Sequence, residues 1–195
     1  MTPEREGIVM APQNSHRGWM KSLMALGVLA FLAVLSRPRT GGPFASTANL
    51  RTDESGRFSF RAASGPSRTL RFQWPGTRRA RPTQTDVHVL IAARSSIAVS
   101  RRAVMNGDTV SFTGALRAGP VPDGGKLIDL QAHYRGRWRT FATPRTDAAG
   151  RWSYPYRFEA TRGLVIYRFR ARIRREAAYP YELGHSRVVR VTVRG

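Results

Sequence analysis

Cysteine is absent from the 195 residues, and lysine occurs only at Lys21 and Lys126. Without thiols the chain has no disulfide scaffold, no thiolate metal site and no cysteine nucleophile. Acidic residues are also scarce, with 12 Asp and Glu against 33 Lys and Arg, so the formal net charge is +21. Residues 1–36 hold three basic and two acidic residues, which leaves +20 on the body of the protein.

The histidines are few and lie far apart in the sequence. None has a partner at metal-ligand spacing, and we interpret each as a surface or strand residue. They are His16, His88, His133 and His185. The Ser186 that follows His185 is not in a G-x-S-x-G elbow. The sequence therefore predicts no catalytic residue, no cofactor and no metal, and the protein is predicted not to be an enzyme.

An uncharged apolar run of 13 residues, Leu23–Leu35, follows Arg17 and Lys21. As a helix this run would span about 20 Å, which is short of the roughly 30 Å hydrocarbon core of a bilayer. We therefore expect an N-terminal apolar helix that is either a cleaved signal peptide or a single membrane anchor. Residues 37–47 are rich in Pro, Gly, Ser and Thr, so residues 1–47 are predicted to be a leader and a linker.

One segment of the chain recurs at an offset of 94 residues. The sequence RTDESGRFSF at 51–60 is echoed by RTDAAGRWSY at 145–154. In both copies we expect the aspartate, Asp53 or Asp147, to cap a tight turn and the glycine to adopt a positive φ before an aromatic strand. A recurrence of this length is typical of repeated β-sandwich modules.

Short runs of alternating polar and apolar residues, separated by turn residues, fill the rest of the body. Residues 126–134 and 138–143 form a predicted hairpin joined at 135–137, and 187–194 closes the chain. No segment after residue 36 shows a sustained helical period, so the body is predicted to be all-β.

The alternation also indicates where the charge lies. In 165–174, Val165, Tyr167, Phe169, Ala171 and Ile173 share one face of a strand. The other face carries Arg168, Arg170, Arg172 and Arg174. We interpret this ladder as a solvated sheet face, with a polyanion-binding site as the alternative.

Aromatic residues are the remaining candidates for ligand contact. Trp138, Trp152 and Phe158 are predicted to fill a sandwich core. Tyr179 and Tyr181 flank Pro180. We expect this pair to lie exposed on a loop, where the rings would be available to a sugar.

Several motifs of the second half of the chain carry a family likeness. They are the loop Gly119-Pro120-Val121-Pro122, the hairpin LIDLQAHYRGRWRTF at 127–141, the turn TDAAGRW at 146–152 and the closing VVRVTVR at 188–194. With these motifs, residues 85–195 resemble bacterial immunoglobulin-like modules of exported actinobacterial surface proteins. The resemblance implies an immunoglobulin-like β-sandwich over 83–195 that serves as a spacer or an adhesive element.

A second resemblance covers a shorter stretch. Residues 49–75, NLRTDESGRFSFRAASGPSRTLRFQWP, look like the second half of a carboxypeptidase-regulatory-like (prealbumin-like) module, which has a carbohydrate-binding-like fold. The resemblance implies a partial β-module over 48–82.

Three functional hypotheses follow. The first is a non-enzymatic module of the cell envelope or the extracellular space, acting as spacer, adhesion or binding element with an envelope polymer or another surface protein as partner. The second is a polyanion binder for anionic wall polymer, lipid or nucleic acid, nucleic acid being the least favoured. The third is a carbohydrate-binding accessory module. The +20 body motivates the second hypothesis.

Overall fold

The computed structural model describes residues 30–195. Every helix or strand that it contains in this range is a β-strand, and none of the range is a helix long and apolar enough to cross a membrane. This confirms the all-β prediction for the described residues. They divide into two compact units, residues 30–89 and 90–195. Residues 1–29 of the predicted leader, which include residues 23–29 of the apolar run, lie outside the described residues.

Four strands belong to the first unit and nine to the second, within residues 30–195. The first four are β1 Phe31–Pro38, β2 Ala45–Arg51, β3 Arg68–Trp74 and β4 Thr83–Val89. The others are β5 Ala98–Val99, β6 Ala103–Met105, β7 Thr109–Ala115, β8 Ile128–Tyr134, β9 Arg137–Ala142, β10 Arg151–Arg157, β11 Leu164–Ile173, β12 Gly184–His185 and β13 Val189–Arg194.

The first unit is built on an antiparallel sheet of order β2-β1-β3-β4. Strand β1 corrects two sequence predictions, because residues 31–38 had been assigned to the apolar helix and the linker. Here they pair with β2 on one side and β3 on the other, and Leu32 and Val34 are buried. The apolar residues of a central strand form a run that sequence alone does not distinguish from a helical segment. Only residues 39–44 of the predicted linker form a loop, which joins β1 to β2.

The second unit is a β-sandwich. One sheet has the order β5-β7-β10, and the other has the order β6-β13-β11-β8-β9 with β12 paired to β11. The larger sheet matches the GFCC′ sheet of an immunoglobulin-like sandwich, and β5, β7 and β10 match its A, B and E strands. Antibody domains place a disulfide between strands B and F. Here the rings of Phe112 and Phe169 meet at that position, with centroids 4.8 Å apart.

Most of the predicted core residues of the second unit are confirmed. Trp152 and Phe158 are buried in the cluster that fills the sandwich, and the Trp152 indole donates a 3.2 Å hydrogen bond to Ser95 Oγ. The predicted hairpin is also present. Its two loop residues, Arg135 and Gly136, both have positive φ, 48° and 76°, as a type I′ turn requires.

The recurrence in the sequence has a structural counterpart that extends beyond the turn. Thr52 Oγ1 accepts the N–H of Ala30 at 3.0 Å, and Thr146 Oγ1 accepts the N–H of Lys126 at 2.9 Å. In both copies the threonine N–H also donates to the carbonyl of that same residue. Each threonine thereby holds the residue that leads into the first strand of the preceding hairpin, Ala30 before β1 or Lys126 before β8.

The sheet of the first unit repeats four strands of the second. Its order β2-β1-β3-β4 corresponds to β9-β8-β11-β13, and all neighbouring pairs are antiparallel in both. The buried positions of β3 and β11 align at an offset of 99, so that Leu70 corresponds to Phe169. Residues 30–89 thus share the strand order of part of the larger sheet of the second unit.

Candidate functional site

The outer side of the larger sheet in the second unit carries a group of neighbouring arginines. On β11 the residues Phe169, Ala171 and Ile173 point into the core and are buried, so the alternate residues face solvent. We call this outer side, with its arginines, the arginine face. Its arginines are Arg168, Arg170 and Arg172 on β11, Arg174 just beyond that strand, and Arg190 and Arg194 on β13.

Two of these arginines share one carboxylate. Asp129, opposite Arg172 on β8, is fully buried. Its Oδ2 accepts from Arg172 and its Oδ1 accepts from Arg174, with Nε to oxygen distances of 2.8 Å in both cases. Burial of the carboxyl opposes ionisation, but the hydrogen bonds and charges of the two guanidinium groups outweigh it, so the pKa of Asp129 is lowered.

A third arginine is held against the sheet. Arg170 Nε donates to Gln131 Oε1 at 2.9 Å, and its guanidinium lies over the Trp138 ring at 4.3 Å. Burial and the charge of Arg172 both lower the pKa of Arg170. Trp138 was predicted to lie in the core, and this prediction was wrong. The residue lies on the outer side of edge strand β9, partly exposed and opposite His133.

The remaining three arginines have no acidic partner. Arg168 Nη2 lies 2.6 Å from His133 Nδ1. Within residues 30–195, no carboxylate forms an ion pair with Arg168, Arg190 or Arg194. Moreover, Arg168 and Arg190 are directly opposite one another on β11 and β13. Like charges in such a cross-strand pair destabilise a sheet.

The ladder predicted from the sequence thus has two electrostatically different halves. Arg172 and Arg174 share the charge of Asp129, whereas Arg168 lies beside Arg190. Sequence reasoning named the β11 arginines but not their cross-strand partners. The alternation of Ile128, Leu130 and Ala132 with Asp129, Gln131 and His133 along β8 was the available signal. Only the register of β8 against β11 assigns each of these polar groups to its arginine.

A second histidine borders the paired half of the face. His185 lies opposite Arg172 on the short strand β12. Burial is the main cause that lowers its pKa, and the charges of Arg170 and Arg172 act in the same direction. The imidazole is therefore held in its neutral form near neutral pH.

The tyrosines proposed as exposed ligand contacts are buried, so that prediction was wrong. Tyr179 and Tyr181 are 1% and 3% exposed. Their hydroxyls donate to the carbonyls of Ala118 and Gly119, at 3.1 and 2.8 Å. Burial, reinforced by Tyr181, raises the pKa of Tyr179 to about 12. Proline interrupts the strand as expected, but the two rings fold inward because their hydroxyls find backbone acceptors.

The described part of the chain contains no candidate metal site. Among residues 30–195, no three His, Asp or Glu side chains come together as a metal-binding group.

Comparisons with known proteins give distant structural similarity. No protein-family model and no curated protein matches the chain. The chain is similar to a solved tetra-tandem repeat from the extending region of a large adhesion protein, with 13% identity and a TM-score of 0.39. That match covers 85% of this chain and 41% of the other, so the chain spans about two fifths of its length. It is also similar to murine CEACAM1b, with 11% identity, a TM-score of 0.32, and coverage of 85% and 86%.

Proposed function

We propose that this protein is a non-enzymatic, exported β-sandwich module of the cell envelope or surface that binds polyanions through its arginine face. The observation that carries the proposal is the pair Arg168 and Arg190, opposite one another with no carboxylate between them. Such a pair is a cost to the folded sheet that an anion bound between the two guanidinium groups removes.

The first unit shows that the fold does not require this charge pair. The positions equivalent to Arg168 and Arg190 are Thr69 and His88, which are opposite one another on β3 and β4. They form a hydrogen bond of 3.1 Å between Thr69 Oγ1 and His88 Nδ1. One strand order therefore supports a hydrogen-bonded threonine and histidine in one unit and two arginines in the other.

The neighbouring arginine of the first unit gives the same contrast. Arg71, equivalent to Arg170, forms a bidentate ion pair with Asp86 on β4, at 2.8 and 2.9 Å. The hydrogen bond from Arg71, assisted by its charge, lowers the pKa of Asp86. The charge of Arg71 on the first sheet is thus compensated locally, whereas Arg168 and Arg190 on the second sheet have no such carboxylate.

The charge balance of the second unit agrees with this proposal. Residues 90–195 contain 20 Lys and Arg against seven Asp and Glu, a net charge of +13. A surface of this kind attracts extended anions and binds them with a strong dependence on ionic strength.

The experiment is a binding titration of the full chain with fluorescently labelled dextran sulfate. The double variant Arg168→Gln with Arg190→Gln removes the unpaired charges. Its matched control, Arg151→Gln with Arg157→Gln, removes two exposed arginines from the outer side of the other sheet of the same unit. We expect the first variant to lose about tenfold or more in affinity and the control about twofold or less, with wild-type binding falling as salt rises.

A second readout separates a specific face from total charge. This readout is the free energy of unfolding. Replacing Arg168 or Arg190 alone should raise it at low salt, because the like-charge pair is removed, and the gain should disappear at high salt. Equal loss of dextran sulfate binding in both double variants would show that net charge alone binds the polymer. In that case the arginine face would not be the site.

A further inference from the structure

Three large apolar side chains lie exposed at one end of the arginine face. Met105, Leu164 and Ile166 are 54%, 65% and 61% exposed. Leu164 and Met105 are both paired with Arg194, and Ile166 is paired with Thr192. Paired residues point to the same side of a sheet, so the three side chains form one group across β6, β13 and β11. We call Met105, Leu164 and Ile166 the apolar cluster.

The unpaired arginines border this cluster. Arg168 is the next outward residue after Ile166 on β11, Arg190 is opposite Arg168, and Arg194 lies between Leu164 and Met105. The nearest carboxylate along the chain is that of Asp108. It accepts the backbone N–H of Met105 at 3.0 Å and lies 3.5 Å from Arg101. The cluster is therefore a small apolar surface with positive charge on the same sheet face.

This combination discriminates among polyanions. A hydrated polymer such as a sulfated glycan or a nucleic acid is attracted to the arginines, but it gains nothing from exposed Leu, Ile and Met. An anionic bilayer gains from both, because its phosphates attract the arginines and its headgroup–acyl boundary takes up apolar side chains to a depth of about 5–10 Å. The cluster spans three neighbouring strands, a width of about 10 Å, and can enter that boundary from a flat sheet face.

We infer that the arginine face docks on an anionic phospholipid surface. The apolar cluster enters the boundary between headgroups and acyl chains, and Arg168, Arg190 and Arg194 bind lipid phosphates. This inference rests on the proposed function and names the polyanion that the arginine face binds, an anionic phospholipid surface.

The test is co-sedimentation of the full chain with vesicles of phosphatidylglycerol and phosphatidylcholine. The variant Leu164→Ser with Ile166→Ser removes most of the apolar cluster and keeps every arginine. Its control, Leu183→Ser with Val188→Ser, removes two other residues that are 47% and 45% exposed. Vesicles of pure phosphatidylcholine record the binding that does not depend on lipid charge. We expect about a tenfold loss of affinity for the first variant, since each inserted side chain contributes part of its full transfer free energy. The control should change by less than about twofold.

Dextran sulfate titrations of the same variants separate the two proposals. The serine variant of the cluster should bind dextran sulfate as the wild type does, because the polymer meets only the arginines. Unchanged vesicle binding in that variant would overturn the lipid inference and leave the polyanion proposal standing. If Arg168→Gln with Arg190→Gln affects neither vesicles nor dextran sulfate, both fail. Loss of a wild-type dimer in the serine variant, with vesicle binding intact, would show that a second copy covers the cluster and would also overturn the inference.

Discussion

Asp129 and Arg172 are joined across strands β8 and β11 by two hydrogen bonds to one carboxylate oxygen: Nε and Nη2 of the arginine both donate to Oδ2, at 2.8 and 2.5 Å. Arg174 occupies the other carboxylate oxygen. One fully buried carboxylate thus compensates two partly exposed arginines. This contact determines how much of the positive charge on the arginine face is compensated within the fold.

The substitution Asp129→Asn should therefore have opposite effects on binding and on stability. It leaves Arg172 and Arg174 uncompensated, so dextran sulfate affinity should rise several-fold at low salt. The free energy of unfolding should fall by about 1–3 kcal/mol, because charge-assisted hydrogen bonds to a buried group are lost. Urea unfolding and the binding titration measure the two effects. A variant that loses stability and also loses affinity would contradict the compensating role of Asp129.

The two threonines of the repeat should have the same energetic role. Thr146→Val leaves the buried N–H of Lys126 without its acceptor, which costs about 1–3 kcal/mol. Thr52→Val does the same to the N–H of Ala30 in the first unit. Denaturant unfolding of each variant measures the loss, and Thr→Ser at the same positions should restore most of it because the hydroxyl is kept. A valine variant as stable as the wild type would show that these hydrogen bonds do not hold β1 and β8 in place.

Much of this architecture is readable from the sequence, since the turn motif, the hairpin at 126–143 and the inward positions of β11 all depend on local patterns. Strand β1 was missed because its apolar residues continue an uninterrupted run. The repeat in the sequence did contain a signal for β1. Leu32 and Val34 align with Ile128 and Leu130 of β8, at an offset two residues larger than the 94 that relates the two turns. The positions of Trp138, Tyr179 and Tyr181 depend on cross-strand register and on distant backbone acceptors, which composition does not encode.

His185 should make the stability of the fold depend on pH. Its pKa is lowered from the ordinary value of 6.5, so the unfolded chain binds more protons at this residue than the folded one below that value. Its contribution to stability is complete above about pH 6.5 and declines as the pH falls through the lowered pKa of the folded state. Urea unfolding across this range should show the decline, and His185→Gln should remove this part of it. An identical pH profile in His185→Gln would contradict the assignment.

The same linkage applies to Asp129 at lower pH. Its pKa is lowered from 3.8, so its stabilising effect is complete above that value and is lost as the pH falls through the folded-state pKa. The Asp129→Asn variant should therefore show a weaker loss of stability in acid than the wild type.

The most direct test of the central claim uses the absence of cysteine from the chain. Ile166→Cys places a single polarity-sensitive fluorophore, such as acrylodan, in the apolar cluster. Ser153→Cys places the same fluorophore on the outer side of the three-stranded sheet, where Ser153 is exposed. With vesicles containing phosphatidylglycerol, the account predicts a blue shift of emission at position 166 and none at position 153. Equal shifts at both positions, or no shift at 166 while the protein binds the vesicles, would contradict it.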